Sequence, residues 1–498
     1  MSKTGKRIFF LLSISIITAG LYLYNPYHLF FLADDFSHIP DSANNVWLQT
    51  NALRPVGNLS LHIDYLLSQQ HALGYHVTNL LLHIINSFLV GVVVFHFFKK
   101  YTTIHSKWFA FITGIFFFVY PFHSEAIFWI IGRSGSLGTV FTLLSFYFFL
   151  QQNSWKNIIA SCIFFQLALF SYESSWVFPI MVSLILLLNR KEEKTLSKKQ
   201  IWYISIVWLL LFANILLRIS ATGELFNHYD AKAFLQFDFL LLAQNFLRLF
   251  ARTWLPPMYH YQYMQIALLV VFVVMIVLLI LLNKKQKLNH FFVTLTFIWL
   301  ISYLPYLSIG IDTHGVEGER YLYLPSVFFC CWLLYILYNI FTRKIFVSIA
   351  FILMIMQLGF IWTARLFYEK AGNITKQTLH EMNMLSYKER IFVENLPQYN
   401  KGAVVFRVGL YSAIKWLYPK QNSEVIIVSK DDSDEKPKKN HVKDFTILYS
   451  EKSTPKIVSS LMLWNGKQLV QKDTTGILFS PNKDAWFSFS DSSLTIIR

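Results

Sequence analysis

The sequence predicts an α-helical polytopic membrane protein with a small soluble α/β or β-rich domain at its C-terminal end. Three observations lead there. Over 498 residues the mean hydropathy is +0.43, with 55% hydrophobic and only 14% charged residues, a balance that soluble globular chains do not reach. Apolar runs long enough to cross a bilayer recur through the first 363 positions and then stop. Lysine and arginine divide unevenly between alternate connecting segments, as a polytopic chain requires.

A crossing needs roughly 20 apolar residues. About eleven transmembrane helices are read, at 8–24, 77–98, 108–121, 134–150, 157–171, 176–189, 201–218, 265–282, 290–309, 322–341 and 345–363. The run at 108–121 is short and ends in Pro121. With the N-terminus in the cytoplasm, 17 of the 24 Lys and Arg residues before position 364 fall on cytoplasmic segments and 7 on the opposite side. The acids run the other way: of 14 in the same stretch, only Glu192 and Glu193 lie inside. Topology does not need acids outside, so their gathering there suggests a site. The first span has no small-residue cleavage site and reads as retained. The net charge of +16 follows from this topology and the anionic inner leaflet, and it argues for no nucleic-acid partner. Cys162, Cys330 and Cys331 fall in spans and read as small buried apolar residues.

These runs define a membrane domain over 1–363 with long external loops at 25–76 and 219–264. The second loop carries a helical apolar pattern at 234–250 and then Arg252, with Pro256 and Pro257 ending any helix there. A Gly- and acid-rich segment at 310–320 precedes the tenth span. Residues 364–390 read as a polar linking helix. Residues 391–498 read as the soluble domain, from β-type runs at 403–408, 424–428, 445–449, 457–463, 476–479 and 486–497 and a solvated Lys-rich stretch at 430–439. An odd number of spans places this domain on the extracytoplasmic side.

Candidate site residues cluster on that same side. Asp34 and Asp35 follow the first span, with His38 close behind; adjacent carboxylates beside a bilayer are costly unless solvated, paired or used. His76, Asn79, His83 and Asn86 open the second span and fall within ~80° of helical arc, a polar stripe that serves either helix–helix hydrogen bonding or a site. His123, Glu125 and Arg133 follow the third span. Glu125 and Arg133 are eight apart and read either as an ion pair or as a phosphate-binding arginine with an orienting acid. Glu173 sits between two spans. Glu319, Arg320 and Tyr321 enter the tenth span; Arg320 reads as a phosphate-gripping guanidinium or as the partner of Glu319 or another external acid. The chain has no Walker loop, dinucleotide fingerprint, zinc-protease motif or nucleophile elbow. Its acids lie at one membrane face and not at mid-bilayer, which weighs against a pump.

In order, Asp34-Asp35, Leu53-Arg54-Pro55, Tyr75-His-Val-Thr-Asn-Leu-Leu-Leu-His83, Pro121-Phe-His-Ser-Glu-Ala with Gly132-Arg133, and Glu319-Arg-Tyr-Leu-Tyr-Leu-Pro325 resemble the GT-C superfamily of polytopic glycosyltransferases. Within it they are most similar to the tetratricopeptide-bearing transmembrane O-mannosyltransferases and their bacterial relatives. The resemblance covers roughly residues 8–340. Two departures stand out: Tyr172 precedes Glu173 where the family carries a lysine, and the repeats are replaced by the small domain.

The resemblance implies a GT-C-like fold and transfer of a sugar, a hexose such as mannose, from a polyprenyl-phosphate donor to an acceptor hydroxyl on the extracytoplasmic face, with inversion. Ser or Thr of exported proteins is the first acceptor; a lipid-linked or cell-surface glycan is the alternative. Asp35, or Asp34, would be the catalytic base. Arg133, Arg320 and Arg252 would bind the donor phosphate, and His38, Arg54, His76, Asn79, His83, His123, Glu125, Glu173, Glu319 and Tyr321 would face the substrates. No cofactor is required, although the carboxylates with His38 would suit a divalent metal. The repeat-free form and the Phe-, Ile- and Lys-rich composition suggest a bacterial inner-membrane protein with a cytoplasmic N-terminus and a periplasmic C-terminal domain. Rival readings from other classes are a lipid-linked-sugar flippase and a non-catalytic scaffold.

Overall fold

The computed structural model describes residues 3–44, 53–101, 107–151, 154–188, 197–222, 238–258, 260–394, 396–421, 423–428, 461–464, 469–472, 482–490 and 493–497. They form a mostly helical protein with several apolar helices and a small sheet-bearing region near the C-terminus. The chain divides into two compact units: Met1–Tyr27 with Ser42–Leu366, and His28–Asp41 with Phe367–Arg498.

The first unit holds α1 (Lys3–Leu23), α3 (Pro55–Ser68), α4 (Ala72–Tyr101), α5 (Lys107–Phe118), α6 (Glu125–Phe128), α7 (Arg133–Leu150), α8 (Trp155–Leu169), α9 (Phe178–Leu188), α10 (Lys198–Thr222), α11 (Phe239–Trp254), α12 (Tyr261–Lys284), α13 (His290–Ile301) and α14 (Tyr323–Ile340). Between them, α2 (Asp35–Ala43) falls largely in the second unit, and α15 (Arg343–Met384) runs through the boundary at 366/367. Each of the eleven predicted spans falls on a helix. Among the described residues, six helical stretches are long and apolar enough to cross a membrane by length and composition, beginning with Phe9–His28; the predicted spans at 108–121, 157–171, 176–189 and 290–309 fall on shorter apolar helices.

Capping fixes several starts. Ser154 accepts from Asn157 N at 3.3 Å, Asp238 from Leu241 N at 3.0 Å and Asn289 from Phe292 N at 3.0 Å, each satisfying one orphan donor of a first turn. Pro55 opens α3, where its missing N–H costs nothing. α14 is enclosed by α5, α7, α12 and α13, with Cys330, Leu334 and Ile336 fully buried. α12 is the opposite case: apolar all round, it leaves Leu269 64% and Val270 56% exposed, which suits a lipid-facing surface. α4 and α5 approach closely where Gly114 faces the backbone of Ser87; a Cβ there would stand 2.8 Å from the Ser87 carbonyl oxygen.

In the second unit a four-stranded sheet has the order β4 (Glu424–Val428), β1 (Arg390–Glu394), β7 (Asp484–Ser490), β8 (Ser493–Ile497). The first three are parallel and β7–β8 is an antiparallel hairpin. Ile391, Phe392 and Val393 of β1 are fully buried, as a strand flanked on both sides requires. Short pairs β2 (Tyr399–Asn400) with β3 (Ala403–Val404), and β5 (Leu461–Trp464) with β6 (Leu469–Lys472), and the helix α16 (Leu410–Leu417) complete the description. The predicted run at 403–408 is strand only over its first two residues and then bends. The predicted runs at 445–449 and 476–479 lie outside the described residues, as does the stretch at 430–439. The polar segment after 364 continues the last apolar helix without a break as far as Met384.

Candidate active site

In the first unit, among the described residues, the acids and arginines expected on the external side form four ion-paired groups. Ser124-Glu125, at the start of α6, and Glu319-Arg320, just before α14, grip one another reciprocally. Ser124 donates from its backbone N at 3.2 Å and its hydroxyl at 2.5 Å to Glu319 Oε2. Arg320 donates from its backbone N at 3.1 Å to Glu125 Oε2 and from Nη1 to Glu125 Oε1. Arg252, at the end of α11, closes on the other oxygen of Glu319 at 2.5 Å and gives its remaining donors to the carbonyls of Asp312 and Leu255. Thus Glu125 pairs with Arg320 and not with Arg133, and Arg320 pairs with Glu125 and not with Glu319.

Arg133 turns instead to α3. It donates to Asp64 Oδ2 at 2.5 Å, Ser60 Oγ at 3.2 Å and the Tyr75 carbonyl at 2.9 Å. Thr78 occupies the other oxygen of Asp64 at 2.7 Å. The Arg133 side chain is 1% exposed and that of Arg252 is 0% exposed, so neither guanidinium presents surface to a ligand. Arg320 retains 11% and Arg54 20%. The expected phosphate-binding set of Arg133, Arg320 and Arg252 is thereby divided: two are enclosed within saturated pairs and one keeps an open side.

The fourth group was partly missed. Arg54 holds Glu173 bidentately, Nε to Oε1 at 3.1 Å and Nη2 to Oε2 at 2.8 Å, and Arg218 of α10 adds a contact to Oε1 at 2.5 Å. Arg54 lies 4.6 Å over the Tyr172 ring. A cation from α3's N-terminal boundary therefore stands beside both Tyr172 and Glu173. Rings continue the row: Tyr306 stacks on Tyr321 at 4.6 Å, and Arg320 lies over Tyr321 at 4.6 Å and Trp129 at 5.2 Å.

The polar stripe on α4 is inside the protein. Asn79 donates to the carbonyls of Ile127, Trp129 and Ile130, pinning the short α6 and its exit. His83 bonds the Phe118 carbonyl at 2.9 Å through Nε2, so Nε2 carries the proton and Nδ1 accepts from Tyr323 Oη at 2.8 Å. Asn86 donates to the Ser136 carbonyl and to Tyr323 Oη. His76 is buried beside them. His123 meets Ser326 Oγ at 3.1 Å. Burial, and then the neighbouring His83 ring, hold the His123 imidazole well below the usual histidine range. For Asn79, His83 and Asn86 the contacts are those of helix–helix hydrogen bonding.

In the second unit the adjacent carboxylates sit on a strained turn. Ala33 has φ 43°, a left-handed value uncommon for a residue with a Cβ. Asp35 Oδ2 accepts from Leu32 N at 2.9 Å, and the side chain is fully buried at the start of α2. Asp34 is 23% exposed and its Oδ2 accepts from Arg407 Nη2 at 2.8 Å. One carboxylate ties the turn and the other meets a cation and solvent. His38 follows one turn later, its backbone N bonded to the Asp34 carbonyl at 3.0 Å. Among the described residues no group of three or more His, Cys, Asp or Glu side chains is arranged to hold a metal ion. Sequence reasoning missed Asp64, Arg218 and Arg407. The first two stood among the external charges without a motif, and Arg407 lay in a run read as strand.

No family model matches the chain. A protein O-mannosyl-transferase of Caenorhabditis elegans is 24% identical over 307 residues, 56% of this chain and 41% of that protein. A human protein O-mannosyl-transferase is 27% identical over 106 residues, 21% of this chain and 11% of its own. One from Drosophila melanogaster is 28% identical over 125 residues, 24% of this chain and 14% of its own. The chain spans less than half the length of these curated relatives. Crystal structures of ArnT from Cupriavidus metallidurans, in the apo state and bound to undecaprenyl phosphate, align with TM-scores of 0.44 and 0.47 at 9% identity; they cover 87% and 86% of this chain and 87% of each of theirs. The O-mannosyl-transferase similarity falls in the superfamily that the motifs of this chain resemble, the GT-C membrane glycosyltransferases.

Proposed function

We propose that the protein transfers a sugar, a hexose such as mannose, from a polyprenyl-phosphate donor to a hydroxyl of Ser or Thr in exported proteins, on the extracytoplasmic face of a bacterial inner membrane. The observation that carries this reading is the Asp34–Asp35 turn. A left-handed alanine immediately before two carboxylates stores strain where a functional group must be aimed, and only one of the two carboxylates is committed to holding the turn. The similarity to O-mannosyl-transferases supports the reaction class.

In this reading Asp34 is the base, because it is the carboxylate with open surface, and Asp35 keeps the turn in place. The acceptor oxygen attacks the anomeric carbon as its proton passes to Asp34. The bond from that carbon to the phosphate oxygen breaks on the opposite side, and the lipid phosphate leaves with the electron pair, so the configuration inverts. Within the first unit, Arg320 and Arg54 both keep exposed surface and both lie against aromatic rings, the surroundings a phosphate-linked sugar needs. No general acid is needed once the leaving phosphate is paired with arginine.

The test is turnover of the purified chain with a polyprenyl-phosphate mannose and a Ser/Thr-rich peptide. Loss of a general base typically costs 10²–10⁴-fold. Asp34→Asn is expected to fall in that range, with donor binding retained. Near-native turnover of both Asp34→Asn and Asp35→Asn would end the reading. Transfer to a lipid-linked glycan in place of the peptide would keep the enzyme and change its acceptor.

A further inference from the structure

Residues 28–41 group with the C-terminal region and not with the helices that flank them in sequence. Several specific contacts join them there to one short segment, 405–416. Ala33 N donates to the Val405 carbonyl at 3.0 Å. Arg407 Nη2 donates to Asp34 Oδ2 at 2.8 Å. Gly409, with φ 94°, passes so close that a Cβ on it would stand 2.4 Å from the Ala33 carbonyl oxygen. Trp416 of α16 packs edge-on against Phe31 at 5.0 Å and Phe36 at 6.3 Å. The strained residue, the exposed carboxylate and the two rings flanking it are all met by the same twelve-residue stretch.

We propose that Arg407 is a positioning residue for Asp34, so that the C-terminal domain completes the carboxylate turn. Two physical arguments support this. A partly exposed ion pair adds little to stability. A guanidinium holding one carboxylate oxygen does, however, fix the side-chain rotamer and so aim the other oxygen. The backbone bond from Ala33 to Val405 adds a second tether at the residue whose conformation is least favourable. Arg407 touches Asp34 and acts through it; it is given no contact with substrate.

The kinetic part of this proposal rests on the transferase reading, so the experiment has one arm that does not. The full-length protein is compared with Arg407→Ala, Arg407→Lys and Asp34→Asn. In the first arm, hydrogen exchange is followed across residues 30–38. In Arg407→Ala it is expected to quicken about tenfold there while β1 and β7 keep their protection. Unchanged exchange in the turn overturns the proposal, and so does loss of protection through the whole sheet, which marks a merely structural role. In the second arm, turnover is measured with polyprenyl-phosphate mannose and a Ser/Thr-rich peptide. Arg407→Ala is expected to lose about tenfold or more in kcat with donor KM within about twofold of wild type. Arg407→Lys should lie between. Added guanidinium ion should restore part of the Arg407→Ala activity and none of the Asp34→Asn activity. Wild-type kcat in Arg407→Ala overturns the proposal. A wild-type chain inactive on this donor counts against the transferase reading, and the exchange arm then decides the positioning role by itself.

Discussion

Arg133 and Arg252 are each enclosed with one carboxylate, Asp64 and Glu319 respectively, and each spends its other donors on carbonyl or hydroxyl oxygens. Desolvating two charges is repaid only when the geometry is this complete, and removing one partner leaves the other buried and uncompensated, at a cost of about 3–5 kcal/mol. Asp64→Ala should therefore sharply lower the thermal unfolding temperature of the detergent-solubilised chain, or prevent its accumulation. Arg54→Ala is the contrasting case, because Glu173 still has Arg218 at 2.5 Å and the pair is partly exposed; its cost should be about 1 kcal/mol or less. Equal melting behaviour of Asp64→Ala and wild type would remove the structural role given to Arg133. The sequence singled out Arg133, Glu125, Glu319, Arg320 and Arg252 as a group, since each breaks an apolar context. It did not reveal who pairs with whom. Glu125 and Arg133 stand two helical turns apart and look like partners, but the chain breaks between them at α6, and Glu125 finds Arg320, 195 residues away.

At the level of elements, helices were legible and the turns between them were not. A run of apolar residues announces its own helix, so every predicted span falls on one. The short α6 carries no such signal, and it exists because Asn79 gathers three carbonyls at its end. Strands of the C-terminal unit were only partly legible. β4 was read with its observed bounds, whereas β1, whose sequence Arg-Ile-Phe-Val-Glu is short and flanked by charge, was not read at all. The turn at 32–35 was invisible for a different reason: its shape comes from Val405, Arg407 and Gly409, far along the chain. Gly409 offers a direct test. Its φ of 94° disfavours any side chain, and a Cβ would meet the Ala33 carbonyl at 2.4 Å. Gly409→Ala should displace the turn and lower turnover by at least about tenfold. Gly359→Ala, in a helix where a Cβ would meet nothing within 4 Å, should leave turnover unchanged. Equal activity of the two variants would mean that the turn tolerates movement and that its strain has no role in function.

At the scale of the molecule, the linear reading put residues 25–76 in one external loop of a membrane domain, while the folded chain assigns 28–41 to the C-terminal unit. Sequence order cannot express such an exchange, because a boundary read from composition is one cut and this unit needs several. What composition does express is sidedness. On the positive-inside expectation, the 17-to-7 division of Lys and Arg before position 364 points the N-terminus inward and puts 12 of the 14 acids in the same stretch on the opposite side. Among those 12 are the acids paired in the first unit, Asp64, Glu125, Glu173 and Glu319, together with Asp34 and Asp35 of the turn. Because Asp34 pairs with Arg407, the C-terminal unit must occupy the same compartment as the loop that follows the first span, whatever the number of crossings between them. Alkaline phosphatase fused after residue 498 in a bacterial host should therefore be active, as should a fusion after residue 44, while a fusion within 189–196 should be inactive. Activity at 44 and inactivity at 498 would separate Asp34 from Arg407 by a bilayer, and neither the positioning of the turn nor a role for the C-terminal unit in transfer would survive it.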